Sequence, residues 1–324
     1  MKSKITFKQI RRGIKYPVLV FFIKLFIATV RFFPRRWTLF IFGALGKLSF
    51  RVVANERKKT IKNITIAFGD TMSHVEIKRM AKQVFVNMAL IFADYLHTLH
   101  YTTRRQFDKI IDFEGVEHLE KAYAEGRGVL CLTGHTSSWE FSAIMPPILG
   151  FDTTAVSRRM PNERINRLIV GFRQKRGMKN IGRGNAYPKL LEALAKGECM
   201  IIMVDQDTQA KGVFIDFFGK SAYTPVGAAR LALDTKVPVV PMFMRRYPNN
   251  RYKFTIHPPL PLIDTSDTAH DLLENTRIYT AIYEKVIREA PDQWVWMHER
   301  WKTTPEDIER FLARRKAEKE ATMS

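Results

Sequence analysis

The sequence predicts an α/β fold, a mostly parallel twisted sheet flanked by helices, with N-terminal membrane-associated helices ahead of it. Two textures carry that expectation. From Gly126 onward, short apolar runs alternate with helical patterns, as strands joined by crossover helices do. Ahead of that, residues 1–60 hold fifteen Lys/Arg against one acid, Glu56, together with the most apolar stretches in the chain. A length of 324 residues suits one large α/β domain or two small ones, and 46% hydrophobic residues exclude global disorder.

The net charge of +21 calls for an acidic partner, and two thirds of it sits in residues 1–60. A nucleic-acid arm is basic and polar; this segment is basic and apolar, which reads as an anionic-membrane contact and not as a nucleic-acid one. Pro17–Phe33 is near the lower length limit for a span and is interrupted by Lys24 and Arg31, seven apart on one helix face. An interfacial anchor is favoured over a full span, and a buried helix pair is the structural alternative. Residues 1–54 are expected to be the anchoring segment. Residues 55–324 form the main domain, with a helical lead-in at 55–125, an α/β core at 126–303 and a C-terminal helix at 304–324.

Within the lead-in, Asn55–Phe68 and Ser73–His100 read as helices; Ile77, Met80, Ala81, Val84, Phe85, Met88, Ile91 and Phe92 recur at helical spacing. In the core, VLCLT, TTAVS, CMIIMV and VPVVPMFM are expected strands. FSAIMPPIL, RINRLIVGFRQKRG, GAARLALDT and the stretch near His270–Ala290 are expected helices. Cys131 and Cys199 each lie in an apolar run and read as buried reduced thiols. No CxxC, Cys/His cluster or HExxH occurs, so no metal site is expected.

In such sheets a site gathers at the carboxyl ends of strands. GHTSSWE, Gly134–Glu140, follows one strand end, and VDQD, Val204–Asp207, follows another. Ser137-x-x-Glu140 reads as a capping box, which by itself accounts for both residues. The same turn permits chemistry: a glutamate aimed back at His135 fixes its tautomer and leaves the other nitrogen to take a proton from a substrate hydroxyl. The turn is not a G-x-S-x-G elbow, so the nucleophile is expected from the substrate.

His-x4-Glu after a strand resembles the glycerolipid acyltransferase superfamily, and the wider chain resembles its lipid A late (lauroyl/myristoyl) acyltransferase branch. Three further blocks carry the likeness: DQDTQAKGVFIDFFGKSAYTPVGAARLA at Asp205–Ala232, VSRRMPN…FRQKRGMKNI at Val156–Ile181, and QWVWMHERWKTTP at Gln293–Pro305. The turn departs from the family, many of whose members have a bulkier residue before Gly-Asn-Trp-Glu.

The resemblance implies acyl transfer from acyl carrier protein, with no other cofactor, to a hydroxyacyl chain on a lipid A precursor. His135 would be the base and Glu140 its orienter, with Thr136 and Ser137 as oxyanion candidates. Substrate contacts are expected from Arg158, Arg159, Asn162, Arg176, Asp205, Gln206, Asp216, Phe218, Thr224, His298 and Arg300. Phe214, Phe217 and Phe218 are core or an acyl tunnel. The expected location is the bacterial inner membrane, with the catalytic domain on its cytoplasmic side. Another glycolipid or phospholipid acceptor, or an inactive lipid-binding protein, are the alternatives.

Overall fold

The computed structural model describes residues 7–310 apart from 158, 183–185 and 209, together with residue 313. Four helices lead: α1 (Phe7–Phe32), α2 (Arg35–Val52), α3 (Ala54–Phe68) and α4 (His74–His97). The short α5 (Arg104–Phe107) precedes β1 (Ile111–Glu114), α6 (Val116–Ala124), β2 (Val129–Thr133), α7 (Trp139–Ile148), β3 (Thr153–Ser157) and α8 (Glu163–Gln174). Then come β4 (Met178–Gly182), α9 (Tyr187–Ala195), β5 (Cys199–Met203), β6 (Gly212–Phe217), β7 (Lys220–Pro225) and α10 (Gly227–Thr235). The last are β8 (Val239–Arg246), β9 (Tyr252–Ile256) and α11 (Thr268–Glu289). Residues 305–310 are helical, and most of the expected helix beyond them lies outside the described residues.

Seven strands form one sheet in the order β1-β9-β8-β2-β5-β3-β4. The five from β8 to β4 run parallel; β9 is antiparallel to β8, and β1 is parallel to β9. The sheet is therefore mixed with a parallel majority. Its central strand β2 is buried along its whole length, which is why VLCLT lacks polar alternation. Alternate side chains still separate: Leu130 and Leu132 join the apolar cluster on one face, Val129 and Cys131 that on the other. Both cysteines are buried and unpaired, as expected of core thiols.

Outside the sheet, β6 and β7 form a hairpin closed by Phe218 and Gly219, both at positive φ (57° and 72°). That two-residue loop matches the twist of the strands it joins. Phe217 and Phe218 are buried against each other and against Trp294, Trp296 and Phe68, so both are core.

α2 is set tightly against α4. A Cβ on Gly46 would lie 2.8 Å from the Val86 Cα, and Phe50 stacks edge-on against Phe85. Arg35 at the start of α2 donates to both oxygens of the buried Asp94, at 2.6 and 3.0 Å, and Asp94 also accepts from Tyr252 at 2.7 Å. α4 begins with the capping box Ser73–Glu76. Among the described residues no single helix is long and apolar enough to cross a membrane; α2 and α3 qualify only together and are bent by 89°. Large exposed apolar side chains nonetheless concentrate here. Among the described residues all but Val75, Phe92 and Met160 lie between Val18 and Val53.

Candidate active site

His135 and Asp205 meet because their strands are neighbours. β2 and β5 pair in parallel with Thr133 opposite Met203, so each residue stands two positions past a matched strand end. His135 Nδ1 lies 2.8 Å from Asp205 Oδ1, and the His135 backbone N–H donates to Oδ2 at 2.8 Å. Trp294 Nε1–H donates to the same Oδ2 at 2.9 Å. The Asp205 side chain is fully buried and that of His135 is 25% exposed. Among the described residues, His135 Nε2 has no hydrogen-bond partner.

Electrostatics follow from that arrangement. Burial alone drives the His135 pKa down, but the charge and hydrogen bond of Asp205, with the charge of Glu140, outweigh it and leave it raised. Burial drives Asp205 up, and the His135 ring, Trp294 and the His135 amide together hold it below the usual carboxylate range. A fixed anion on Nδ1 assigns the ring proton there and makes Nε2 the basic nitrogen.

The surrounding residues hold this pair in place. Gly134 admits no side chain: a Cβ would lie 2.8 Å from Tyr283 Cε1 and 3.2 Å from Asp205 Cγ. Tyr283 of α11 donates to the Thr133 carbonyl at 2.7 Å and receives the Val204 N–H at 3.4 Å, tying the two strand ends together. The Trp139 ring stands 5.6 Å from that of His135.

The expected Ser137–Glu140 capping box is not formed. Ser137 lies at φ 45°, its N–H donates to the Gln293 carbonyl at 2.6 Å, and α7 starts two residues later with Ser138 at its N-cap position. Glu140 accordingly does not reach back to His135 Nδ1. Both its oxygens accept from Arg173 of α8, one at 3.2 Å from Nε. The orienting carboxylate is Asp205, and Glu140 acts on His135 through space. Of the oxyanion candidates, the Ser137 amide is committed to Gln293. The hydroxyls of Thr136 and Ser137 are buried without partners, as are those of Thr133, Ser138 and Ser142.

The other expected contacts disperse. Arg158 lies outside the described residues. Arg159 is exposed and pairs with Glu163 at the start of α8. Asn162 is the α8 N-cap, accepting from the Arg164 and Ile165 amides at 3.0 and 3.1 Å. Arg176 is buried and donates to the Thr98 and Tyr101 carbonyls at 2.8 and 3.1 Å, closing the end of α4. Asp216 is exposed and accepts from Gly219 N in the hairpin turn; Phe218 is core. Arg300 is buried against Tyr223 O (2.6 Å), Thr224 Oγ1 (2.5 Å) and the Phe217 ring, and burial lowers its pKa to about 10. His298 Nε2 lies 2.9 Å from the Asp207 carbonyl. Gln206 is half-buried beside Asp205, past the end of β5, whose neighbour β3 ends at Ser157.

Arg173, Tyr283 and Trp294 escaped sequence reasoning as site residues. Trp294 stood in the QWVWMHERWKTTP block with no site role assigned to it, and Tyr283 lay within the expected helix near His270–Ala290. A cleft of about 590 Å³ opens behind the turn, lined by Thr136, Gln293, His118, Arg245, Lys253 and His257 among others. Neither His135 nor Asp205 is part of its wall.

A family model described as bacterial lipid A biosynthesis acyltransferase matches residues 5–303. The chain is similar to a lipid A biosynthesis acyltransferase of Haemophilus influenzae, 26% identical over 274 residues covering 84% of each chain. It is also similar to a lipid A biosynthesis lauroyltransferase of Escherichia coli, at 27% identity over 82% of this chain and 85% of the relative. A phosphatidylinositol mannoside acyltransferase of Mycobacterium tuberculosis is 24% identical over 62% of this chain and 63% of its own length.

Proposed function

The chain belongs to the bacterial lipid A biosynthesis acyltransferase family, and from that premise we propose that it is an O-acyltransferase acting on a lipid-A-type glycolipid. In the finer form of the proposal, acyl carrier protein supplies the acyl group. The acceptor is the hydroxyl of a hydroxyacyl chain on a lipid A precursor. One observation carries the chemistry: His135 stands at a strand's carboxyl end with Nδ1 held by the buried Asp205 and Nε2 uncommitted.

His135 Nε2 takes the proton of the acceptor hydroxyl as its oxygen attacks the thioester carbonyl carbon. The tetrahedral intermediate collapses with loss of the thiolate, which takes the proton back from the imidazolium. A C–O bond forms, a C–S bond breaks, and the histidine ends neutral. Asp205 keeps the ring in the productive tautomer and steadies its positive charge, a role of the kind filled by the carboxylate of a Ser-His-Asp triad. General-base assistance is worth roughly 10²–10⁴ in rate. Thr136 and Ser137 stay the oxyanion candidates of this reading: both follow His135 in the turn, and their buried hydroxyls have no partner among the described residues.

The proposal includes an anionic membrane as partner. The exposed apolar side chains of α1 and α2, set in a strongly basic segment, support it. The same reading puts the protein at the bacterial inner membrane with the catalytic domain facing the cytoplasm, where acyl carrier protein and precursor meet.

The test is a panel of acceptors presented to the purified protein in detergent with acyl carrier protein as donor. A lipid A precursor is expected to gain one acyl chain by mass spectrometry. Acylation of a lysophospholipid or a mannolipid alone would overturn the acceptor assignment. Equal turnover with an acyl-coenzyme A donor would overturn the donor assignment.

A further inference from the structure

α3 and α4 pack by their inner faces on one apolar cluster, α3 through Ile64 and Phe68, α4 through Ile77, Ala81 and Val84. Their outer faces are solvent-exposed and basic. On α3 the exposed Asn55, Lys58, Lys62 and Thr65 recur at helical spacing and form one stripe opposite the buried residues. On the first half of α4 the exposed positions include Lys78, Arg79 and Lys82.

Residues 54–83 hold seven Lys/Arg against three acids, and little of that charge is neutralised. Glu56 pairs with Lys59 at 3.1 Å, and Glu76 is taken up by the Ser73 cap. Arg57 turns back to the Phe50 and Arg51 carbonyls. Lys59–Glu56 is the one ion pair of this segment among the described residues, so Lys58, Lys62, Lys78, Arg79 and Lys82 stand exposed without a carboxylate. Lys58 and Lys62, like Lys78 and Lys82, are four apart, where like charges repel along a helix. An anionic surface laid on the stripe relieves that repulsion.

A bilayer does not suit this face. The exposed apolar side chains of α2 continue to Val52, but α3 turns from α2 by 89° and carries no large exposed apolar side chain among the described residues; the first half of α4 carries only Val75. A helix that lies in a membrane interface needs an apolar side to sink, and the apolar side of α3 is in the core. A basic helix surface of this kind complements a protein with an acidic face.

The position of the face ties it to the chemistry. From the inner side of α3, Asn63 donates to the Trp296 and His298 carbonyls at 2.8 and 2.9 Å, and Phe68 packs edge-on against Trp296. The same segment carries Trp294, whose indole holds Asp205. α3 therefore lies over the segment that braces the His135–Asp205 pair.

We propose that the outer face of α3 and the first half of α4 is the docking surface for the acyl carrier protein, met through an acidic face of the carrier. That the partner is an acidic protein rests on the charge and shape of the surface; that it is the carrier rests on the acyltransfer reading.

The experiment measures binding of fluorescently labelled holo acyl carrier protein to the full chain in detergent, by anisotropy. Lys58→Glu with Lys62→Glu is expected to weaken binding about tenfold or more, and Lys78→Glu with Lys82→Glu to act in the same direction. All four side chains are exposed, so the melting temperature should not move. Binding to the unaltered protein should weaken as salt rises. In turnover, the Lys58/Lys62 variant should raise KM for the carrier-bound donor and leave kcat at saturating donor unchanged. Unchanged carrier affinity in both variants would overturn the proposal. So would an equal loss of flotation with phosphatidylglycerol vesicles, which would give the face to the bilayer. If the unaltered protein binds the carrier but transfers no acyl group, the acyltransfer reading fails while the binding comparison still decides the surface. An unaltered protein that does not bind the carrier and draws acyl groups from coenzyme A alone would overturn both the donor and its docking surface.

Discussion

Asp205→Asn separates the carboxylate that holds His135 from the one that stands near it. Oδ2 of Asp205 accepts from two donors, the His135 N–H and the Trp294 indole, whereas Oδ1 serves only the imidazole. Asparagine keeps a single acceptor oxygen. Placing it on the two-donor side preserves two bonds and turns the amide NH2 toward Nδ1. Nδ1 must then accept, the ring proton moves to Nε2, and the base is lost without a change in shape. The expected fall in kcat is about 10³-fold, inside the 10²–10⁴ range for general-base assistance. Losing one charge-assisted hydrogen bond should destabilise the fold by about 1.5–3 kcal/mol. Single-turnover transfer of a radiolabelled acyl group, read beside the thermal midpoint, measures both. A variant that kept more than a third of the unaltered kcat with the same pH profile would refute the tautomer argument.

Other consequences follow from the same geometry. Glu140→Gln leaves Arg173, only 16% exposed, without its anion, at an expected cost of about 3 kcal/mol by chemical denaturation, and lowers kcat less than Asp205→Asn does. Gly134→Ala pushes a methyl into the Tyr283 ring, so the melting temperature should drop by the equivalent of about 1–3 kcal/mol and turnover should fall with it. His135 must be neutral to act, and its pKa is raised, so kcat/KM should climb with pH through a limb above the ordinary histidine value of about 6.5; in Asp205→Asn only the charge of Glu140 is left to oppose burial, and the limb moves down. The ion pair's stabilisation is fully present below the unfolded histidine pKa and above the unfolded aspartate pKa. The melting-temperature gap between unaltered protein and Asp205→Asn is therefore expected to be widest between about pH 4 and 6.5, closing as pH rises through the raised histidine value or falls through the lowered aspartate one.

Much of this architecture could be read from local pattern. VLCLT and CMIIM had the length and continuous apolarity of strands covered on both faces, and each leads within two residues to a polar one, His135 or Asp205, where a parallel sheet places its chemistry. His135 was legible for that reason. The partnership of His135 with Asp205 was not, because it spans 70 residues and depends on β2 and β5 being neighbours, which no local spacing reveals. Ser-x-x-Glu was misread because the positive φ of Ser137 is set by its backbone bond to Gln293, far along the chain. Arg176 and Arg300 were expected substrate contacts, yet each is buried on backbone carbonyls that only the folded chain brings near. The edge strand β4 escaped notice, since MKNIG has no regular alternation, whereas YKFTI of the reversed β9 alternates as a half-buried strand does and was passed over.

The most direct test of the account is the acyl-transfer rate of His135→Ala on the glycolipid acceptor, with folding checked by circular dichroism and thermal melting. A folded variant whose product formation has fallen at least about 10²-fold is the predicted result. A folded His135→Ala protein that acylates the acceptor at the unaltered rate would contradict it.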